Sequence, residues 1–283
     1  MTIREAVNTA AGILDGAGRD GCRLDAEVLL LHILKKDRSF LIMWPSYQLS
    51  RIEESEYFKM IDERASGKPV SYITGEKEFM GIPFRVCPEV LIPRPDTEIL
   101  AEEGIRVLKE KGGGCFLDMC TGSGAIGVSL AYYVPEAAGA AADISAGALK
   151  IAAENAERNG VGARVVFFKG DLFEAVPEDW AFDLIVSNPP YIREEVISSL
   201  MTDVRDFEPV MALDGGPDGL LFYRRIVPEA ARRLKPGGAL LLEIGHDQGE
   251  EVSALLHMTG VFSKVRILKD LAGLDRVVCG YMK

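Results

Sequence analysis

The chain has 283 residues, with 32 Lys+Arg against 43 Asp+Glu, a formal net charge of −11, and 48% hydrophobic residues. This length accommodates one large domain, or a domain of roughly 200 residues with a smaller companion, and the apolar content excludes wholesale disorder. The acidic balance argues against tight binding to bare nucleic acid, where phosphate neutralisation needs a basic face.

No apolar run reaches the roughly 18 residues that a membrane span needs. Arg4, Glu5, Asp15, Arg19 and Asp20 break any signal-peptide core at the start. Five cysteines, Cys22, Cys87, Cys115, Cys120 and Cys279, are scattered without a C-x-x-C pair. Reduced thiols in a cytoplasm are the expectation. His32, His246 and His257 do not group with other donors at metal-ligand spacing, so neither a metal site nor a Cys–His pair is expected.

Residues 1–75 read as helical. TIREAVNTAAGIL, DAEVLLLHILKK and SRIEESEYFKMIDERA each repeat apolar residues at helical spacing. This segment holds 10 basic and 11 acidic residues, so nearly all the negative charge lies in 76–283. It is either a bundle supporting the main domain or a module that grips a macromolecular substrate. Residues 76–93 alternate around Gly81 and Pro83 and predict a linking β-hairpin. In 93–98, Pro95 suits a helix start, with Asp96 or Thr97 as cap and Glu98 in the first turn.

From residue 99 onward, strands and helices alternate. Strands are predicted at 114–119, 139–144, 164–170, 182–188, 238–244, 264–270 and 275–281, with helices including 145–158 and 218–234. Such alternation makes an α/β fold, a mostly parallel sheet with helices on both faces. Four residues separate the last two strands. That is too short for a crossover helix, so one of the two must run antiparallel.

The first strand of this region ends at Asp118 and Met119 and runs into Cys120-Thr121-Gly122-Ser123-Gly124-Ala125-Ile126-Gly127. Gly122, Gly124 and Gly127 form G-x-G-x-x-G, and Asp143 ends the next strand, as in a nucleotide-binding turn. A nicotinamide or flavin dinucleotide and S-adenosylmethionine both suit this scaffold. Asp118 discriminates: a carboxylate there would repel phosphates and attract an ammonium and a sulfonium. Asp171 suits an adenine amino group, with Leu172 against the ring, and Asp143 can take the ribose hydroxyls. Three acids at three strand ends favour S-adenosylmethionine.

The fourth strand ends in Asn188-Pro189-Pro190-Tyr191. Prolines force the chain out of the sheet at the edge where ligands bind. An amide nitrogen is a poor nucleophile because its lone pair is delocalised. The Asn188 side-chain oxygen and the Pro189 carbonyl make an acceptor pair that can hold its two N–H groups and aim the lone pair at an S–CH₃ bond. Tyr191 can pack over the flat group. Placement and electrostatics then dominate, and no strong general base is required.

These residues resemble the release-factor glutamine N5-methyltransferases, the PrmC/HemK family. The similar stretches are Val70 to Glu76, Ile92-Pro93-Arg94-Pro95-Asp96-Thr97-Glu98, the glycine loop and Asn188 to Tyr191. Phe207-Glu208-Pro209, Ala212-Leu213 and Leu242-Glu243-Ile244-Gly245 continue the match. The resemblance implies a seven-stranded Rossmann-like class I methyltransferase sheet (94–283), a helical N-terminal substrate-recognition domain (1–75) and the linking hairpin (76–93). It implies transfer from S-adenosylmethionine, without a metal, to the glutamine of the Gly-Gly-Gln loop in peptide-chain release factors, modulating translation termination. A monomer acting on protein, with neither nucleic acid nor membrane as direct partner, is the accompanying expectation.

By the same resemblance, Cys120, Thr121, Gly122, Ser123, Gly124, Asp143, Leu172 and Asn188 hold the cofactor, and Asp171 joins them from its strand-end position. Asn188, Pro189, Pro190 and Tyr191 receive the amide, with Asn188, Pro189 and Tyr191 as the catalytic set. Arg94, Pro95, Thr97 and Glu98 lie near the active centre, Arg94, Thr97 and Glu98 among the substrate-binding groups. Cys120 departs from the glycine common at its position; a positive φ there would strain it. Leu172 replaces an aromatic residue of some members.

An adenine N6-methyltransferase shares the tetrapeptide but should show a basic groove, whereas 76–283 holds 22 basic and 32 acidic residues. A ribosomal-protein glutamine methyltransferase is distinguished only by the N-terminal domain. A dinucleotide oxidoreductase leaves Asn188 to Tyr191 unused, and a catalytically idle binder of release factors leaves Asp143 and Asn188 without purpose.

Overall fold

The computed structural model describes residues 1–283, the side chain of Ala175 excepted. Two compact units emerge, one of residues 1–76 with 201–207 and one of 77–200 with 208–283.

In the first unit the helices are α1 (Ile3–Gly16), α2 (Cys22–Leu34), α3 (Arg38–Met43), α4 (Arg51–Ala65) and α5 (Val70–Thr74). Capping boxes start α1 (Thr2 with Glu5) and α4 (Ser50 with Glu53), satisfying amides that the first turn leaves open. Ile3, Val7, Leu14, Leu29, Leu30, Tyr57 and Ile61 form the core. Tyr57 donates its hydroxyl to the Ala26 carbonyl at 2.9 Å, so its polar end is satisfied inside. The two short helices α3 and α5 lie outside the three predicted segments, because one or two turns carry too little periodicity to register.

The second unit begins with a hairpin of β1 (Glu76–Phe79) and β2 (Ile82–Arg85). Its turn residues, Met80 and Gly81, have φ of 53° and 71°. Positive φ at both positions matches the twist of the strands it joins. There follow α6 (Glu98–Glu110), β3 (Gly114–Met119), α7 (Ala125–Tyr133), β4 (Ala137–Asp143), α8 (Ala146–Arg158), β5 (Val165–Lys169) and β6 (Phe182–Ser187). After the single-turn helix α9 (Glu194–Ile197), and the single-turn α10 (Thr202–Arg205) that belongs to the first unit, come α11 (Leu221–Arg233), β7 (Leu234–Glu243), α12 (Gly249–Met258), β8 (Phe262–Lys269) and β9 (Asp275–Met282).

The seven-stranded sheet has the order β5-β4-β3-β6-β7-β9-β8. All pairings are parallel except those of β9, which runs antiparallel to both β7 and β8. The short link between the last two strands required this arrangement. Central strands are apolar on both faces because helices cover both. Leu184 and Val186 of β6 join one core with α6 and α7, while Ile185 joins the other with α11. The chain winds outward in opposite directions from β3 and β6. Their carboxyl ends therefore flank the crevice where ligands bind in open α/β sheets.

Candidate active site

That crevice is a cavity of about 400 Å³, lined by residues of the 88–94 stretch and by those at the ends of β3, β4, β5 and β6. Among the predicted residues, Cys120, Thr121, Gly122, Ser123, Asp143, Asp171, Leu172, Asn188, Pro190, Arg94 and Thr97 line it. Gly124, Pro189, Tyr191 and Glu98 are not on its wall. The three histidines are also absent from it. Among the described residues, no group of three or more His, Cys, Asp or Glu could hold a metal ion.

The glycine loop is shaped by Asp118. This residue is fully buried, and its Oδ2 accepts from the Thr121 hydroxyl at 2.6 Å and the Gly127 amide at 2.9 Å. A Cβ at Gly127 would stand 3.0 Å from that oxygen, so the third glycine serves helix–strand packing. Asp118 thus lies behind the loop, and the expectation that it meets a ligand's positive charge is corrected. Burial pushes its carboxyl up to about 7, against the pull of the Thr121 and Gly127 hydrogen bonds.

Asp143 stands at the end of β4, where its Oδ2 accepts from Gly122 N and its Oδ1 from Ser145 N, both at 2.9 Å. Burial raises its pKa, opposed by these amides. The Ile144 amide also reaches this carboxylate, which leaves acceptor capacity for a ligand hydroxyl. Cys120 and Leu172 have φ of 60° and 52°, in the left-handed region that favours glycine. The strain anticipated at Cys120 is present, and Leu172 shares it. Asp171 is on the wall, but its Oδ2 pairs with Arg225 at 2.7 Å. Any ligand amine must share that carboxylate with the guanidinium.

On the other side, Asn188 Nδ2 donates to Thr97 Oγ1 at 3.3 Å, leaving Oδ1 to accept. Ser187 Oγ donates to the Met119 carbonyl at 2.7 Å and locks the neighbouring strand ends together. Gln248 Nε2 donates to the Tyr191 carbonyl at 3.1 Å, and Ile192 N to Leu213 O at 3.0 Å. Proline rings and these bonds hold the tetrapeptide rigidly. Arg94 is fixed by Glu208 at 2.5 Å.

Protein groups engage several of the predicted side chains, and the start of α6 differs from the expectation. Tyr191 directs its hydroxyl at Glu243 Oε1, 3.4 Å away. Glu98 accepts the Met80 amide at 2.7 Å and fastens the hairpin turn. Gly124, with φ of 81°, is the N-cap residue of α7. Neither Asp96 nor Thr97 caps α6 with its side chain; a 3₁₀ turn over Pro95–Thr97 precedes the helix, and Thr97 turns inward. Residues that the sequence did not single out include Phe222, Arg225 and Met211, all on the wall. Met211 and Phe222 come from connections and helices distant in the chain, without a motif to mark them. Glu243 lies beside Thr97; the sequence marked it only as part of the similar stretch Leu242-Glu243-Ile244-Gly245, without a role.

The donor set fits an adenosine-bearing cation: a carboxylate at the β4 end, close backbone approach at Gly122, and apolar walls from Leu172 and Phe222. Residues 5–75 match the family described as PrmC N-terminal domain, and residues 97–204 match the methyltransferase small domain. The chain is 42% identical to the release factor glutamine methyltransferase of Clostridium botulinum over 279 residues, covering 98% of each. With its namesake from Moorella thermoacetica it is 43% identical over 283 residues, 100% of this chain and 99% of that one. A solved methyltransferase from Pyrococcus furiosus shares the fold at TM-score 0.55 and 22% identity, covering 81% of this chain and 98% of that one. So does a Thermus thermophilus 16S rRNA N2 G1207 methyltransferase in complex with AdoMet and guanosine, at TM-score 0.53 and 21% identity, covering 74% of this chain and 50% of that one. Identity of this order along the whole length, joined to the cavity between β3 and β6, places the chain in the release factor glutamine methyltransferase family.

Proposed function

We infer that this chain transfers the methyl group of S-adenosylmethionine to the side-chain amide nitrogen of the glutamine in the Gly-Gly-Gln loop of peptide-chain release factors. The observation carrying this reading is Asn188: its NH₂ is tied to Thr97, which frees Oδ1 to accept from an amide beside the glycine loop. A bound sulfonium supplies an activated methyl group. Asp143 would take the ribose hydroxyls, the Gly122 region would let the backbone approach, and Leu172 would face the adenine. Asn188 Oδ1 and the Pro189 carbonyl would accept the two amide hydrogens, orienting the nitrogen for in-line attack. The nitrogen becomes strongly acidic once the new bond forms, so its proton can pass to solvent.

Residues 1–75 are read as the module that recognises the release factor, 76–93 as the linking segment that opens with the hairpin, and 94–283 as the catalytic domain. Protein, not nucleic acid, is the substrate class that the acidic balance of 76–283 supports. The deciding experiment incubates purified release factor with labelled S-adenosylmethionine and maps the modified residue by mass spectrometry. A methyl group on the loop glutamine is expected, and Asn188→Ala should lower transfer by roughly 100-fold or more with little change in cofactor affinity. Label found only in DNA or a ribosomal protein would overturn the substrate.

A further inference from the structure

We propose that Thr97 and Glu243 are positioning residues that set which end of the Asn188 amide faces the substrate, an inference that rests on Asn188 being the acceptor. Thr97 and Glu243 are almost wholly buried, at 4% and 1% exposure. The Thr97 hydroxyl lies against the Glu243 carboxylate and stabilises its charged form. Glu243 Oε2 has no well-formed hydrogen bond among the described residues, while Oε1 receives the Tyr191 hydroxyl. A hydroxyl has one proton, and an ionised carboxylate only accepts. The Thr97 proton therefore goes to Glu243, and Thr97 Oγ1 can only accept from its other neighbour. That neighbour is Asn188, which must present Nδ2 inward and Oδ1 to the cavity.

Protonation of Glu243 reverses the chain. The acid O–H would donate to Thr97, Thr97 would donate to Asn188 Oδ1, and the amide would turn its NH₂ outward. Two donors would then face each other across the substrate contact. The groups around Glu243 are Thr97 and Asp96 from the turn before α6, Tyr191 from the loop after β6, and Arg276 from β9. Tyr223 of α11 gives its hydroxyl to the Glu243 main-chain carbonyl at 2.8 Å. Arg276 is itself held by Asp270 at 2.9 Å and Asp96 at 3.3 Å. Burial pushes Glu243 up to about 7; Thr97, Arg276 and Tyr191 pull it down and Asp96 pushes it up. The switch would then operate near neutrality.

The test measures single-turnover transfer to purified release factor by the full chain from mildly acidic to mildly alkaline pH, with cofactor affinity by calorimetry and Tm alongside. The wild type should lose rate on the acid side. Thr97→Val should be slower by roughly 10- to 100-fold, as expected for a misplaced reacting group. It should keep cofactor affinity and Tm and show no acid limb. Thr97→Ser should restore both the rate and the limb. A Thr97→Val enzyme at wild-type rate, or a slow one that retains the acid limb, overturns the proposal. If that variant does not fold, Glu243→Gln decides: the amide does not titrate, so the limb should vanish, and its survival refutes the relay. Asn188→Ala separates the two readings, because a wild-type rate there defeats the acceptor role itself.

Discussion

Two residues of the cavity wall, Cys120 and Leu172, are in a backbone region that costs side chains on the order of 1 kcal/mol each. Strain of this kind persists only where surroundings dictate it. Cys120 lies between the end of β3 and the glycine loop, and Leu172 lies after β5, so both shape the cofactor side of the site. A branched side chain should suffer more: Cys120→Val is expected to lose about 2 kcal/mol in urea denaturation, while Cys120→Gly stays within about 1 kcal/mol of the parent. Equal losses in the two variants would mean that packing of the thiol, not φ, decides. Asp143 offers a cleaner ligand prediction. Asp143→Ala should weaken S-adenosylmethionine binding by at least roughly tenfold in calorimetry, since a charged acceptor to ligand hydroxyls contributes about 1.5–3 kcal/mol. Unchanged affinity would remove the ribose role. The glycine spacing and Asp143 could be read from the sequence because each occupies a fixed offset from a strand end. The placement of Asp118 behind the loop could not, since strand position alone does not say which way a side chain turns once neighbours compete for it.

At the scale of elements, the hairpin is stitched to the sheet by groups far apart in the chain. Asn155 of α8 accepts from Arg85 N at 2.7 Å and donates to Arg85 O at 3.0 Å and to Ser123 O at 2.8 Å. Glu98 holds the turn at Met80, and Phe79 and Phe84 are buried in the core. One buried amide therefore joins the hairpin, α8 and the glycine loop. Asn155→Ala leaves the Arg85 N–H, the Arg85 carbonyl and the buried Ser123 carbonyl without this partner and should cost about 3 kcal/mol in denaturant unfolding. Amide exchange at Arg85 should speed up more than exchange in β7; uniform protection loss would show that the residue stabilises the whole unit and not this junction. The hairpin itself was legible from alternation around Gly81. Its anchorage was not, because Asn155 reads as an ordinary polar residue on an amphipathic helix until the partners are known. The same holds for Glu98, whose first-turn position suggested helix electrostatics and substrate contact, and whose partner is a main-chain amide.

For the molecule as a whole, the buried acids predict an unusual pH dependence. Asp118 and Glu243 have carboxyls raised to about 7 from ordinary values of 3.8 and 4.5. Between those limits the folded chain holds protons that the unfolded chain has released, so stability falls as pH rises through this window. Glu103 acts with the opposite sign. Hydrogen bonds from Arg106, Tyr281 and Arg266 outweigh its burial and hold it at about 2, so its contribution is present above 4.5 and lost as pH falls towards 2. The net charge of −11 adds self-repulsion that eases on mild acidification. Urea midpoints should therefore be higher near pH 5 than near pH 8, and Asp118→Asn should flatten the difference. A midpoint that rises steadily from pH 5 to 8 would contradict the raised pKa values.

The sequence by itself determined the α/β alternation, the antiparallel end of the sheet, the glycine turn and the rigid Asn188 to Tyr191 exit. These depend on local properties: apolar period, glycine and proline conformational limits, and loop length. Tertiary structure decided which polar groups face the cavity and which support it from behind. Asp118, Glu98 and Tyr191 carry chemistry suited to a ligand, yet each is engaged by protein groups brought to it by the fold. Thr97, Asn188 and Glu243 lie on three separate segments of the chain and meet only where the sheet gathers them. Hydrogen-bond partnership is a three-dimensional property, and buried polar groups take whichever partner the packing supplies.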